Sequence, residues 1–486
     1  MIHCVLRGHD FQNEVQVTAQ VFFPAEKFTF GNNVQPQGYT VESVREADGF
    51  NAIVYKDGAK VAHHFFAFAP QANYLNERRV TMLALYHALQ KVVPTFTPWG
   101  SLTGIRPSKL VREWMDNGCT DREIITRLME PFCVSEEKAR LALNVAHSEN
   151  RVEKRIRNTI GIYVSVPFCP SRCVYCSFNT TQKPASEDFL ESYVATLIRE
   201  CREKSAQVRE FGGEVSSIYI GGGTPTFLPE NLLEKLLDAI CENFSKSGIE
   251  LTAEAGRPDT LTPAKLKILK KYATTRLAVN PQTLNDRTLK AIGRNHSAAD
   301  FFTAFHHALE AGFPTINTDL IAGLPNETPD DMHRNMEALS RLAPENITIH
   351  TLALKRASRL NELRHEKARR NDNSENHENE CADNDSDTPQ TIDSMLRIAA
   401  NFCAEMNLHP YYLYRQKNMA ALFENIGYSQ LGKECLYNVG MMAEVQTILG
   451  IGAGAVSKYV IGNKITREFN AKNPKIYIER QGQLHS

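Results

Sequence analysis

Ile162-Tyr163-Val164-Ser165-Val166-Pro167-Phe168-Cys169-Pro170-Ser171-Arg172-Cys173-Val174-Tyr175-Cys176 joins a short apolar run to three cysteines spaced C-x3-C-x2-C. The run reads as a β-strand, and the cysteines fall in the loop at its end. Three thiolates from one loop can hold three irons of a cubane. An electron carrier ligated wholly by protein uses four, so three leave one iron open to another ligand. Zinc on three cysteines and a histidine is the alternative reading, although the closest histidine in sequence is His147. The remaining cysteines, Cys4, Cys119, Cys133, Cys201, Cys241, Cys381, Cys403 and Cys435, are scattered and read as small apolar residues. Eleven is an odd number, with only three clustered, which argues against a disulfide framework.

Outward from this strand, further short apolar runs at residues 217–220, 251–255, 276–279, 315–321 and 347–354 alternate with helical segments. Six strands so spaced predict parallel βα units and an α/β fold: a partial (β/α)6 barrel over residues 159–360, two units short of a closed eight. In such sheets active sites gather at the carboxyl ends of the strands. Residues 1–158 read as an N-terminal α+β domain. There Val15, Val17, Ala19, Val21 and Phe23 alternate as a half-buried strand does. Asp57-Gly58 marks a tight hairpin, and from Asn76 the period lengthens to that of helices. Residues 365–389 are dense in Asn, Asp, Glu and Ser and predict a disordered acidic and polar insertion. Residues 390–486 read as a mostly helical C-terminal region with the Gly-rich string Gly450-Ile451-Gly452-Ala453-Gly454.

Composition is that of a globular chain, 42% hydrophobic and 23% charged, and no apolar run approaches the ~18 residues of a membrane span. No secretory signal is visible at Met1 to Asp10, so a cytoplasmic location is the expectation. A net charge of -1 with dispersed Lys and Arg gives no nucleic-acid footprint.

Polar and glycine motifs follow the later strands. Gly221-Gly222-Gly223-Thr224-Pro225 closes the second, where absent side chains allow close approach to a ligand, or simply make a βα turn. Glu254 ends the third, Gln282 follows the fourth, Arg294 lies twelve residues later, and Asp319 stands in the fifth. Singly, each could be a structural polar residue.

Together the cysteine loop and these strings resemble the radical S-adenosylmethionine (SAM) superfamily. The string at residues 219–226, with Tyr163 six residues before the first cysteine, is similar to the oxygen-independent coproporphyrinogen III oxidase (coproporphyrinogen dehydrogenase) family. Leu102 to Pro107, Arg257-Pro258-Asp259 and Tyr411 to Asn418 resemble its HemZ type. The resemblance implies a [4Fe-4S] cluster on Cys169, Cys173 and Cys176. It also implies one or two SAM molecules contacted by Tyr163, Tyr175, Gly222, Gly223, Thr224, Glu254, Gln282, Arg294, Asp319, Ala353 and Val456. In that family the acid at Glu254 holds ribose hydroxyls, and Gln282, Arg294 and Asp319 serve a second SAM.

The activity so implied is oxidative decarboxylation of coproporphyrinogen III to protoporphyrinogen IX in porphyrin and haem biosynthesis. The open iron chelates SAM, and reductive cleavage yields a deoxyadenosyl radical that abstracts hydrogen from two propionates. The implied partners are the porphyrinogen and an electron donor such as a flavodoxin or ferredoxin. Buried propionates need cationic partners, for which Arg294, Arg356 and Arg415 are candidates. The rival is a haem-binding chaperone of the same family. Two departures bear on the choice: Phe178 stands where the well-described dehydrogenases carry a further cysteine, and Ser165 where they carry a histidine. The Phe178 ring is expected to pack beside the cluster and keep water out.

Overall fold

The computed structural model describes all residues except 25, 70–73, 105, 179, 183–185, 245–247, 353–387, 416–422, 463 and 484–486. Two compact units divide them, Met1–Leu143 with Arg415–Phe423, and Asn144–Tyr414 with Glu424–Ser486.

The first unit contains β1 (Ile2–Arg7), α1 (Gln12–Phe22), β2 (Phe28–Gly31), β3 (Tyr39–Arg45), β4 (Gly49–Lys56), β5 (Ala59–Ala67), α2 (Glu77–Gln90), α3 (Pro107–Asp116) and α4 (Asp121–Met129), and α5 (Glu136–Ile156) starts in it. Its five strands run β2-β1-β3-β4-β5. The β4–β5 hairpin turns at Asp57 and Gly58, both at positive φ, as the Asp-Gly pair predicts. The alternation at Val15 to Phe23 does not make a strand. This segment is α1, burying Val15, Thr18, Ala19 and Phe22. Val15, Ala19 and Phe22 also stand at i, i+4 and i+7, and packing against α2 selects the helix.

The second unit continues with β6 (Thr159–Val166), the two-residue strands β7 (Phe168–Cys169) and β8 (Thr181–Gln182), α6 (Glu187–Glu210), β9 (Glu214–Gly222), α7 (Glu230–Phe244), β10 (Glu250–Glu254), α8 (Pro263–Lys271), β11 (Arg276–Ala278), α9 (Asp286–Ala291), α10 (Ala298–Glu310), β12 (Thr315–Ala322), α11 (Pro329–Leu342) and β13 (Asn346–Thr351). Each of the six predicted strands is present. They run parallel in the order β13-β12-β11-β10-β9-β6, so their carboxyl ends share one edge. Most of their residues are buried, as expected where helices cover a parallel sheet. The predicted insertion at 365–389 lies, up to residue 387, outside the described residues.

Beyond it come α12 (Pro389–Glu405), β14 (His409–Arg415), β15 (Glu424–Ser429), α13 (Leu436–Ala443), β16 (Thr447–Ile451), β17 (Val456–Ile461), β18 (Lys464–Phe469) and α14 (Pro474–Gln483). The expectation of a mostly helical C-terminal region is therefore corrected. Its strands extend the sheet at both ends, β15 antiparallel to β13 and β16 parallel to β6. Pairing of β16 with β6 and of β15 with β13, far apart in sequence, joins this region to the sheet, and local periodicity carries no record of it.

The Gly-rich string turns from β16 against the end of β6. Gly452 sits at φ +97°, and a Cβ there would lie 2.6 Å from the Ser165 carbonyl oxygen. The buried Glu200 on α6 ties the turn down by accepting from the Gly452 amide (2.7 Å), the Asn470 side-chain amide (2.8 Å) and the Tyr477 hydroxyl (2.6 Å). Replacing Glu200 with Ala would strand three donors, and a loss of about 3 kcal/mol is expected. A denaturant midpoint within experimental scatter of the wild type would contradict this.

Candidate active site

β6 and β9 end together, with Val166 opposite Gly222. The chain leaves β9 folded onto the start of the cysteine loop: the Gly223 amide donates to Val166 (2.9 Å) and the Thr224 amide to Phe168 (2.8 Å). A Cβ on Gly223 would lie 2.6 Å from the Phe168 oxygen and 3.0 Å from Cys169 Sγ, so only glycine fits this approach. Thr224 Oγ1 stands 3.5 Å from Cys169 Sγ.

The loop's other side is pinned after α9. The Val174 amide donates to Ile292 (3.0 Å), Ser171 Oγ donates to Gly293 (2.9 Å), and Val174 and Tyr175 pack on Leu289, Ile292, Ile321, Leu324 and Leu352. Arg257, fully buried after β10, reaches Ser171 and Cys173. Three cysteines are thus presented from one braced loop.

Burial pushes the Cys169 thiol up to about 11 and raises that of Cys176, and neighbouring thiols oppose one another's ionisation. Thiolates are the metal-binding form, and a polycationic centre relieves both penalties. Among the described residues no three His, Cys, Asp or Glu side chains converge as ligands of a single ion. A cubane does not ask for convergence, because each cysteine takes a different iron. The donor set fits the cluster.

Next to the loop, Tyr163 on β6 stacks with Tyr219 and Tyr437 (ring centroids 6.3 and 5.8 Å apart). Tyr219 donates to Glu254 Oε1 (2.5 Å). Burial pushes the Glu254 carboxyl up to about 7, with Asp319 adding to the rise. A carboxyl raised on folding favours the native state at low pH, and that contribution is lost as pH climbs from the unfolded value near 4.5 through about 7. Relative to Glu254→Gln, wild-type stability should therefore fall by no more than about 3 kcal/mol across that window and stay level above it. A pH-independent difference in unfolding free energy would contradict the assignment.

Asp319 on β12 accepts from Asn280 Nδ2 and Asn317 Nδ2, both at 2.7 Å, and lies 3.6 Å from His350 Nε2. Burial works against a charged His350, but the contacts with Asp319 and Asn425 and the nearby Glu254 together outweigh it and the pKa is raised. Gln282, at φ +71°, is held by backbone bonds to Asp319 (3.0 Å) and Ile321 (2.9 Å). Buried Arg294 donates to the carbonyls of Gly256 (3.1 Å) and Asn280 (2.6 Å) and interacts with Tyr175 and Cys173. One polar cluster at the strand ends therefore links Gln282, Arg294, Asp319 and Tyr175 to the cysteine loop.

Asn280 and His350 belong to this cluster and went unread in the sequence. An asparagine two residues before Gln282, and a histidine inside the apolar run 347–354, were the available signals. Val456 begins β17 beside Gly450, whose partner in β6 is Tyr163. Ala353 lies outside the described residues, as does Arg356. Arg415 donates to the carbonyls of Leu102 and Gly104 and covers the Trp99 ring, so the 102–107 string anchors a buried guanidinium. Phe178 does not pack beside the cluster site: its side chain is 68% exposed. The loop turns it outward after Cys176, and hydrophobicity alone does not reveal direction.

A cysteine loop and a glycine turn at the carboxyl edge of a parallel sheet define a radical SAM centre, and the Radical SAM superfamily model matches residues 163–339. The oxygen-independent coproporphyrinogen-III oxidase-like protein HemZ of Bacillus subtilis is 36% identical over 391 residues, 79% of this chain and 74% of that one. The heme chaperone HemW of the same organism is 36% identical over 39% of this chain and 49% of its own. The Escherichia coli coproporphyrinogen III oxidase HemN shares the fold, with a TM-score of 0.52 at 22% identity over 70% of this chain and 72% of that one. The chain belongs to the HemZ-type family within the radical SAM superfamily. A [4Fe-4S] cluster and SAM are its cofactors, and a reductant and a small-molecule substrate complete the set. No helix among the described residues is long and apolar enough to cross a membrane.

Proposed function

We propose that this protein carries out oxygen-independent oxidative decarboxylation of coproporphyrinogen III to protoporphyrinogen IX. The observation that carries the reading is the polar cluster of Asn280, Gln282, Arg294 and Asp319 joined to the cysteine loop. It supplies anchored donors and acceptors for SAM groups beyond those met by Gly222, Gly223, Thr224 and Glu254. When bound, the cluster and SAM supply the one-electron chemistry that starts hydrogen abstraction.

The chain's own residues bind and orient. Cys169, Cys173 and Cys176 hold the cluster and leave one iron for SAM. Glu254 receives ribose hydroxyls, its carboxyl already positioned by Tyr219. Tyr163, in the Tyr219–Tyr437 stack, and Tyr175, against Arg294, wall the site. Val456 and Ala353 complete the SAM contacts. Arg294 and Arg415 spend hydrogen bonds on backbone carbonyls, so His350, whose pKa is raised beside Asp319, joins Arg356 as a cationic candidate for a propionate. A flavodoxin or ferredoxin would serve as donor.

The second reading, haem delivery, is favoured by the relatives named heme chaperones and by phenylalanine at position 178. Anaerobic turnover with coproporphyrinogen III, SAM and a reductant separates the two. Mass spectrometry should show the loss of two carboxyl groups as carbon dioxide. Stoichiometric haem retention without that product supports delivery.

A further inference from the structure

Arg257 is only 3% exposed, yet no cofactor contact accounts for it. One edge of its guanidinium is held by Asp259, Nε to Oδ1 at 3.1 Å and Nη2 to Oδ2 at 3.2 Å. The other edge faces the cysteine loop: Nη1 lies 3.3 Å from the Ser171 carbonyl oxygen and 3.8 Å from Cys173 Sγ, while Nη2 donates to Ser171 Oγ at 3.0 Å. Asp259 thus fixes the orientation and leaves Nη1–H aimed at a cluster ligand. Arg294 approaches the same cysteine, and Arg172 lies near Cys176.

We propose that Arg257, oriented by Asp259, sets the reduction potential of the cluster through its hydrogen bond to Cys173 Sγ. The inference rests on the cluster being held by the three cysteines, and not on which substrate follows. A cubane on three thiolates gains one negative charge on reduction. A buried cation and a hydrogen bond at a ligating sulfur stabilise the more negative state, raising the potential and easing reduction by a weak donor. Arg257 is a positioning and tuning residue, since it touches the cluster only through its ligand.

The test is a redox titration of anaerobically reconstituted protein followed by electron paramagnetic resonance, with iron content measured alongside. Arg257→Gln should lower the ratio of reduced to oxidised cluster about tenfold at a fixed donor potential, equivalent to about 59 mV for one electron. Arg257→Lys should fall between the two. Asp259→Asn keeps one carbonyl oxygen to hold the guanidinium while removing a nearby negative charge, and should move the potential the opposite way. Should Arg257→Gln fail to load iron, the Lys and Asn variants carry the test. Fully loaded variants that all titrate at the wild-type potential would overturn the proposal and leave Arg257 a brace for the loop. Failure of every variant and of the wild type to bind a cluster would instead overturn the cluster assignment.

Discussion

Cys173→Ala is expected to lose nearly all cluster iron on anaerobic reconstitution, and with it SAM cleavage. Cys173 is the most buried of the three cysteines, at 9% exposure, and its loop is braced from both sides. Removing its thiolate leaves one iron without a protein ligand, and no other cysteine stands in the loop to replace it. Loss of a supporting contact around a metal typically costs 10–100-fold in affinity, and loss of a direct ligand should exceed that. Iron and sulfide analysis with the visible absorption spectrum reads the result. Full iron content with unchanged methionine and 5′-deoxyadenosine release would contradict the ligand assignment.

Gly223→Ala should have the next largest effect. The added methyl carbon meets the Phe168 backbone at 2.6 and 2.8 Å and Cys169 Sγ at 3.0 Å. Backbone cannot swing aside as a long side chain can, so β7 or the turn must move, at a cost of about 1–3 kcal/mol. Either movement displaces Cys169 or the amides facing SAM. A SAM dissociation constant raised at least about tenfold is expected, equivalent to about 1.4 kcal/mol of that strain appearing in binding. Equilibrium binding to the reconstituted variant measures it, with circular dichroism checking the fold. Wild-type affinity would show that the turn has slack that the close contacts deny.

The centre of the molecule was legible in the sequence because its signals are local. Each of the six parallel strands, β6 and β9 to β13, contains an apolar run bounded by turn residues, and the cysteine loop and the Gly221-Gly222-Gly223 turn come at strand ends. The C-terminal strands were not legible, since β16 owes its state to pairing with β6 nearly three hundred residues earlier. The segment at Val15 failed for another reason: its apolar pattern satisfies two periods, and contact with α2 decides between them. In the site, residues with a motif around them could be read, whereas Asn280, His350 and the aim of Arg257 emerge only when separate strand ends meet. Phe178 shows the converse, an apolar side chain whose exposure depends on loop direction.

The most direct test of the proposed function is SAM cleavage by reduced, reconstituted protein under anaerobic conditions, measured as 5′-deoxyadenosine release with and without coproporphyrinogen III. Coupled radical chemistry predicts release that accelerates with the porphyrinogen and is accompanied by protoporphyrinogen IX. Release indifferent to the porphyrinogen, together with tight stoichiometric haem binding, would contradict the decarboxylase and identify a haem-delivery protein built on the same centre.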